Sequence, residues 1–253
     1  MQDRWPSRIW IVRHGESAGN VARNVAHGAG LSRIDIAERD VDVPLSPRGE
    51  EQALALGRWF AAMPSDERPE VVLTSPYRRA QQTAALIRDA GGLADSASEF
   101  VVDERFREKE LGILDRLTHT GVAELYPDQA AMRARLGKFY HRPPSGESWC
   151  DVILRLRSAL DTLSLHHDGQ RVLLVAHQVV VLCLRYLLEN MSEAQVLGID
   201  AEAEVANCSV TEYAVASQQG RGGPRLLRYN FVAPVAQGGA PVTVEPDANG
   251  PAR

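Results

Sequence analysis

The segment EVVLTSPYRRAQQTAALIRDAGG, residues 70–92, decides the fold class, because an apolar strand pattern passes directly into a helical one. Residues 70–75 form the short apolar run that is typical of a buried strand. The residues after them predict a helix, and Gly91 and Gly92 are typical of a helix end. The same order recurs at 171–190, where RVLLVAH precedes QVVVLCLRYLLEN. This alternation predicts a three-layer α/β/α sandwich with a mainly parallel central sheet.

Further strands and helices are predicted on both sides of that segment. Residues 46–63 begin with Ser46 and Pro47 and carry glutamates in the early turns, which is the pattern of a helix N-terminus. The remaining predictions are strands at 8–12 and 99–104, a helix at 149–167, and a final pair of strands in CSVTEYAV (208–215) and RLLRYN (225–230).

The predicted elements belong to a single domain over residues 1–231 that carries two insertions. Residues 105–146 are rich in charge and contain no strong strand pattern, so they predict a small helical cap. Residues 21–43 form a second variable stretch. From residue 232 to residue 253 the chain is rich in Pro, Gly and Ala, with little to bury, which predicts a flexible and loosely attached tail.

Composition and charge argue against several classes of protein. A formal net charge of −5 over 253 residues argues against a protein that coats nucleic acid or an anionic membrane. The most apolar stretch, residues 171–188, is interrupted by His177, Gln178 and Arg185, so it predicts no membrane span. The N-terminus lacks the apolar run of a secretory signal. Three widely spaced cysteines without a CxxC motif favour reduced thiols and a cytoplasmic location.

Polar side chains follow three of the predicted strands. Arg13 and His14 come after the first strand, Arg78 and Arg79 open the helix after the second, and AHQ with His177 follows the strand at 171–175. The carboxyl ends of parallel strands share one edge of a sheet, where ligands of such folds bind. We therefore expect these residues to meet beside helix N-termini, whose N–H groups attract anions. Each residue alone is more typical of a structural or solvated role.

The expected group of histidines and arginines favours phosphoryl transfer over metal chemistry. A neutral imidazole can attack phosphorus and carry the phosphoryl group, and guanidinium groups bind its oxygens in two-pronged fashion. The leaving oxygen then needs a carboxylic acid to protonate it. Neither an HExxH motif nor a carboxylate cluster at ligand spacing is present, and no P-loop lysine indicates a nucleoside triphosphate. No metal or other cofactor is expected.

Four segments in order, VRHGES with Asn20, PLSPRGEEQA, VLTSPYRRAQQTA and LLVAHQ, resemble the histidine phosphatase superfamily, the phosphoglycerate mutase-like group. The resemblance covers residues 8 to about 190. It implies that His14 is the phosphohistidine nucleophile, that Arg13 and Arg78 clamp the phosphate, and that His177 is the second histidine of the pocket. It also implies that Asn20 lies near the substrate phosphate.

The same resemblance implies a glutamate acid in an E-x-x-x-G context. FREKELG supplies Glu108 four residues before Gly112, with Glu104 and Glu110 as competitors. One departure is that Gln178 stands where glycine commonly follows the second histidine. Its backbone N–H still allows phosphate binding, and its side chain can narrow the pocket or add a donor.

The catalytic segments do not separate a phosphatase from a mutase. The cap reads REKELGILDRLTHTGVAELYPD and lacks the RHYGGLQG-like stretch of dimerising glycolytic mutases, which favours hydrolysis of a small phosphomonoester. Phosphoglycerate mutase-type transfer and an inactive binding protein on the same fold remain alternatives. The expected partner is a small phosphorylated metabolite, with a homodimer left open. Positive residues in the cap, Arg133 among them, suggest a second anionic group on the substrate or simply a solvated helix face.

Overall fold

A computed structural model describes residues 5–97, 99–215 and 223–244. Its strands are β1 (Arg8–Arg13), β2 (Val71–Thr74), β3 (Glu99–Val102), β4 (Arg171–Ala176), β5 (Val210–Ala214) and β6 (Arg225–Phe231). They form one sheet in the order β3-β2-β4-β1-β5-β6. Strands β3, β2, β4 and β1 are mutually parallel, whereas β5 and β6 are antiparallel to their neighbours. The predicted mainly parallel sheet is confirmed, including the final strand pair.

The helices of the described residues lie on the two faces of this sheet and in the insertions. They are α1 (Ala18–Gly28), α2 (Pro47–Ala61), α3 (Arg78–Asp89), α4 (His119–Leu125), α5 (Pro127–Tyr140), α6 (Trp149–His166), α7 (Gln178–Leu188), α8 (Glu193–Glu202) and α9 (Ala233–Gln237). None of them is long and apolar enough to cross a membrane.

Alternation of side chains along the strands builds a hydrophobic core on each face of the sheet. In β1, Ile9 and Ile11 pack in the core beneath α6 and α7. Trp10 and Val12 point to the other face and pack in the core beneath α2 and α3. Successive strand residues face opposite sides, so one short apolar strand serves both layers. The predicted α/β/α sandwich is confirmed.

Two insertions lie over the carboxyl-terminal edge of the sheet. The first contains α1 and a 3₁₀ turn at Asp40–Asp42. The second contains α4 and α5 and has its own small apolar cluster of Leu114, Leu117 and Val122. Helix α5 is kinked at Gly137, whose φ of 79° lies in the left-handed region.

The first part of the Pro/Gly-rich tail is packed onto the core, so the expectation of a loosely attached tail is wrong for residues 232–244. Helix α9 places Val235 in the core beneath α2, where its side chain is fully buried. Gly238 approaches so closely that a Cβ there would lie 2.5 Å from the Cβ of Ala55. Small residues therefore allow close packing here. Residues 245–253 lie outside the described residues.

Candidate active site

The register of the sheet brings the three predicted strand ends together. Arg13 at the end of β1 pairs with Ala176 at the end of β4, and Thr74 at the end of β2 pairs with Val175. His14, Ser75 and His177 are the next residues along each chain segment, and each of the three is buried. The rings of His14 and His177 lie 5.1 Å apart, centre to centre.

The imidazole of His14 is held in a single tautomer. Its Nδ1 lies 2.7 Å from the carbonyl oxygen of Gly15, which can only accept, so Nδ1 carries the proton. The other ring nitrogen, Nε2, accepts a hydrogen bond from Nε of Arg79 at 3.2 Å. His14 is therefore neutral, and the Nε2 lone pair faces a guanidinium group. This is the state that an attack on phosphorus requires.

The arginine beside His14 is Arg79, and the placement of Arg78 in the pocket is wrong. Arg78 is the first residue of α3 and is exposed, whereas Arg79 is buried. Consecutive residues of a helix point about 100° apart, so Arg78 and Arg79 point in different directions. The guanidinium of Arg79 also lies 4.8 Å over the ring of Tyr77, which fixes its plane.

Asp40 of the first insertion binds the outer side of the same guanidinium. Nη1 of Arg79 donates to Asp40 Oδ1 at 2.9 Å and to the Asp40 carbonyl at 2.6 Å. Nη2 lies 3.3 Å from Oδ2. The Asp40 side chain is about half exposed, at 47%. One arginine thus joins His14 to a carboxylate of a surface turn.

His177 lies at the N-terminus of α7 and is fixed from two sides. Its Nε2 is 2.8 Å from the hydroxyl of Ser75, and the ring of Tyr77 packs edge-on at 5.0 Å. Helices α3 and α7 both begin without a side-chain cap. Helix N-termini attract anions, and both of these lie at the same sheet edge as the two histidines.

Burial separates Glu108 from the two competing glutamates. Glu108 is 2% exposed, whereas Glu104 and Glu110 lie at the surface. Its Oε1 accepts from the backbone N–H of Lys109 at 2.7 Å. Glu110 instead accepts from the Tyr77 hydroxyl at 3.0 Å. A buried carboxyl is the better candidate for an acid, because burial favours the protonated form.

Glu147 fixes the chain segment that carries Glu108. Its carboxylate accepts from Arg107 at 2.7 Å, from Arg155 at 3.0 Å and from the backbone of Glu110 at 3.1 Å. Burial opposes ionisation of Glu147, but the hydrogen bonds from Arg155 outweigh it and hold the pKa of this carboxyl below its usual range. The acid candidate therefore stands on a segment with little freedom.

Comparison with known proteins assigns the family. The family model described as histidine phosphatase superfamily (branch 1) matches residues 9–231. The chain belongs to the histidine phosphatase superfamily. A protein of Serratia proteamaculans named "Probable phosphoglycerate mutase GpmB" is 30% identical over 210 residues, covering 81% of this chain and 83% of the relative.

Solved structures of the superfamily have the same fold. YhfR of Bacillus stearothermophilus superposes with a TM-score of 0.70 at 25% identity, covering 90% of this chain and 98% of YhfR. A mycobacterial glucosyl-3-phosphoglycerate phosphatase in complex with VO3 superposes with a TM-score of 0.65 at 26% identity, covering 89% and 99%.

The other predicted site residues of this histidine phosphatase are buried beside the same edge. Arg13 is fully buried, and its Nη1 donates to the carbonyl of Val205 at 2.5 Å. Asn20 uses its Oδ1 to accept from the Ser17 backbone at 3.0 Å, in the cap of α1. Gln178 donates its side-chain amide to Glu204. The contacts of these three with a phosphate stay predictions.

A ring of hydrogen bonds fastens the backbone around the nucleophile. The N–H of Glu16 donates to Gln52 at 2.9 Å, and Gln52 donates to the hydroxyl of Thr243 at 2.9 Å. That hydroxyl donates to Asn207 at 3.0 Å, and Asn207 donates to the carbonyl of His14 at 3.0 Å. The packed part of the tail thus supports the histidine phosphatase site.

The glycine of the RHGE segment is required by a close approach to α2. A Cβ on Gly15 would lie 2.5 Å from the carbonyl oxygen of Gly49, and a Cβ on Gly49 would lie 2.0 Å from that of Glu16. The Glu16 carboxylate accepts from Ser46 at 2.6 Å and pairs with Arg48 at 3.4 Å. The segment is therefore locked against the start of a helix, and Glu16 serves this packing.

Sequence reasoning missed three of the residues that surround the two histidines. They are Asp40, Tyr77 and Ser75. Asp40 lies in an irregular surface turn, where no periodicity marks it.

No group of three or more His, Cys, Asp or Glu side chains that could hold a metal occurs among the residues the structure describes.

Proposed function

We propose that this protein hydrolyses a small phosphomonoester through a phosphohistidine on His14. The observation that carries the proposal is the hydrogen bond of His14 Nδ1 to Gly15, which leaves the lone pair on Nε2. Nε2 attacks phosphorus and forms the N–P bond, while the bond from phosphorus to the ester oxygen breaks. Arg79 beside Nε2 and the N-termini of α3 and α7 stabilise the charge on the phosphoryl oxygens.

Glu108 completes the two steps as an acid and then as a base. Its carboxyl proton passes to the leaving ester oxygen, so that an alcohol departs. The resulting carboxylate takes a proton from water as the water oxygen attacks phosphorus. The N–P bond breaks, inorganic phosphate leaves, and His14 and Glu108 return to their starting states. His177 and Arg13 supply further donors to the phosphoryl group.

The oligomeric state and the compartment of the reaction are inferred from the catalytic side chains and the cysteines. Every side chain that the mechanism uses comes from one chain, so it requires no dimer. The three cysteines are free thiols, and Cys183 and Cys208 are buried. This fits a reducing compartment, and we place the reaction in the cytoplasm. The substrate is a phosphorylated metabolite.

Turnover and trapping of the intermediate test the proposal. Wild-type protein should release phosphate from p-nitrophenyl phosphate without added metal, and rapid acid quench with ³²P-labelled substrate should reveal acid-labile phosphoprotein. His14→Ala should lose both, whereas His27→Ala, which changes an exposed histidine, should retain both. Label of equal amount on His14→Ala would refute the nucleophile, and a folded protein without turnover would favour the inactive alternative.

The mutase alternative is favoured by the names of the curated relatives and is tested with its own substrate. We expect 3-phosphoglycerate with its bisphosphate primer to yield phosphate. Formation of the isomer at a rate above that of phosphate release would instead establish phosphoryl transfer to a second substrate oxygen.

A further inference from the structure

A cavity of about 320 Å³ lies in the helical cap, and neither His14 nor His177 lines it. Its apolar walls are Leu111, Leu114, Val122, Ala130, Ala134 and Pro143. Its polar lining consists of Lys109, His119, Arg133, Lys138 and His141. No aspartate or glutamate lines it among the residues the structure describes. We call this space the cap cavity.

Arg133 of α5 is the cation in this lining that most needs an anion. Its Nη2 is buried and has no hydrogen-bond partner within the described parts of the chain. Burial lowers the pKa of its guanidinium, with the nearby Asp200 working in the opposite direction. A buried donor without an acceptor is costly, because the group has lost its water and gained nothing in return.

Neighbouring cations increase the positive potential of the cap cavity. Lys109 is 7% exposed, and burial, with a smaller contribution from Arg133, lowers the pKa of its amine to about 8. Burial, Arg133 and Lys109 together lower the pKa of His141. Lys138 differs, because it forms an ion pair with Asp200. An anion placed between Lys109 and Arg133 would relieve their mutual repulsion, and the ring of His141 lines the same space.

The cap cavity is lined in part by the chain segment that carries Glu108. Lys109 directly follows Glu108, and Leu111 of the same segment forms part of the wall. A volume of roughly 150 Å³ accommodates a benzene ring in an apolar protein cavity. The cap cavity is about twice that size and holds an apolar group of this kind together with a charged end.

We propose that the cap cavity binds a second anionic group of the substrate, carried on an apolar spacer from the phosphate ester. The shared chemistry is that of a carboxylate or a second phosphate bound by Arg133 and Lys109. The inference rests on the proposed function, since it names the class of phosphomonoester that the site accepts.

Pairs of matched substrates test the inference. Phenyl phosphates that carry a carboxylate on alkyl spacers of increasing length are compared with the corresponding primary amides, which keep size and lose charge. At the best spacer length we expect kcat/KM of the acid to exceed that of the amide by about ten-fold or more, as for a charged hydrogen-bond partner. The same spacer with a terminal phosphate should show a preference of the same sign.

Two arginine variants on α5 test whether Arg133 causes the preference for the acid over the amide. Arg133→Met should reduce the ratio of acid to amide to about one, while hydrolysis of the amide persists. Arg135→Met removes an exposed charge from the same helix and should leave the ratio as in wild type. A ratio near one in wild type at every spacer length, or a ratio unchanged by Arg133→Met, would overturn the inference and leave the proposed function intact.

A binding measurement separates the cavity from catalysis. Among phenylalkanoates of the same spacer lengths, which have no phosphate, at least one should raise the melting temperature of wild type and of Arg135→Met but not of Arg133→Met. If no phosphate ester is turned over, the proposed function fails, and the shift in melting temperature alone tests the cap cavity. A shift then supports the cap cavity as an anion site, and the absence of a shift refutes that site as well.

Discussion

The carboxylate of Asp40 accepts hydrogen bonds from both terminal nitrogens of Arg79, at 2.9 Å from Nη1 to Oδ1 and 3.3 Å from Nη2 to Oδ2. A carboxylate binds a guanidinium through the same two-pronged geometry as a phosphate. The side chain that faces His14 is therefore held by an internal anion on its other side. Because Asp40 is half exposed, it can exchange this contact for water when a substrate phosphate arrives.

Asp40→Asn is expected to strengthen inhibition by inorganic phosphate. Removing the carboxylate charge weakens the competition of Asp40 with a phosphate for Arg79, so the inhibition constant should fall by about five-fold, the worth of a half-exposed ion pair near 1 kcal/mol. Competitive inhibition of p-nitrophenyl phosphate hydrolysis measures it. The control is Asp42→Asn, which removes a carboxylate that pairs with Arg39 in the same turn. Weaker inhibition in Asp40→Asn would show that Asp40 positions Arg79 instead.

Neighbouring arginines of α3 are expected to differ sharply in their contribution to activity. Arg79→Ala removes a buried donor beside His14 Nε2, so kcat/KM should fall by about 10²-fold or more. Arg78→Ala changes an exposed side chain and should stay within a few-fold of wild type. Steady-state kinetics with one phosphate ester checks both, and equal losses would contradict the assignment.

Glu108→Gln should discriminate between leaving groups. An alkyl ester such as glycerol phosphate needs its oxygen protonated, so its hydrolysis should slow by about 10²-fold or more. Release of p-nitrophenolate needs little protonation and should slow much less. Glu104→Gln, an exposed glutamate on the same segment, provides the control. Equal losses on both esters in Glu108→Gln would place the acid elsewhere.

Lys109→Met is expected to stabilise the protein at neutral pH. Burial lowers the pKa of Lys109 in the folded protein to about 8, whereas the unfolded chain keeps the ordinary value near 10.4. Keeping the Lys109 amine charged in the folded protein therefore lowers the free energy of unfolding by up to about 3 kcal/mol below pH 8. This cost falls as the pH rises from about 8 to about 10.4, because in that range the folded state has released the proton that the unfolded state still holds.

Urea unfolding of wild type and variant measures this effect. The gain of Lys109→Met should amount to about 1–3 kcal/mol at pH 7 and shrink towards zero near pH 10.4. Lys138→Met, which breaks the ion pair with Asp200, should instead lose stability at pH 7. A gain for Lys109→Met that does not vary with pH would point to packing as its cause.

The fold could be predicted because its elements are marked by local patterns. Short apolar runs such as that of β4 and the capped start of α2 are decided by neighbouring residues. The sheet edge that gathers His14 and His177 follows from parallel pairing alone. Arg79 and Arg78 can be told apart from helical spacing, since Arg79 shares the buried face of α3 with Ala80 and Thr83.

Other parts of the site could not be predicted, because they depend on contacts between distant segments. Asp40 reaches Arg79 from an irregular turn, and its identity is typical of any exposed loop. Thr243 bonds to Gln52 and Asn207 from a segment whose Pro, Gly and Ala content is typical of a disordered tail. Small residues are typical of disordered tails, whereas in this tail they allow close packing against α2.

The ring of hydrogen bonds through Thr243 has a consequence for the order of assembly. His14 is synthesised early and Thr243 near the end of the described chain, yet Asn207 bonds to both. A nascent chain that stops before Thr243 contains every side chain that contacts phosphate in the mechanism but lacks the last tie on the nucleophile's backbone. Full fastening of the catalytic segment therefore cannot be completed before Thr243 has been synthesised.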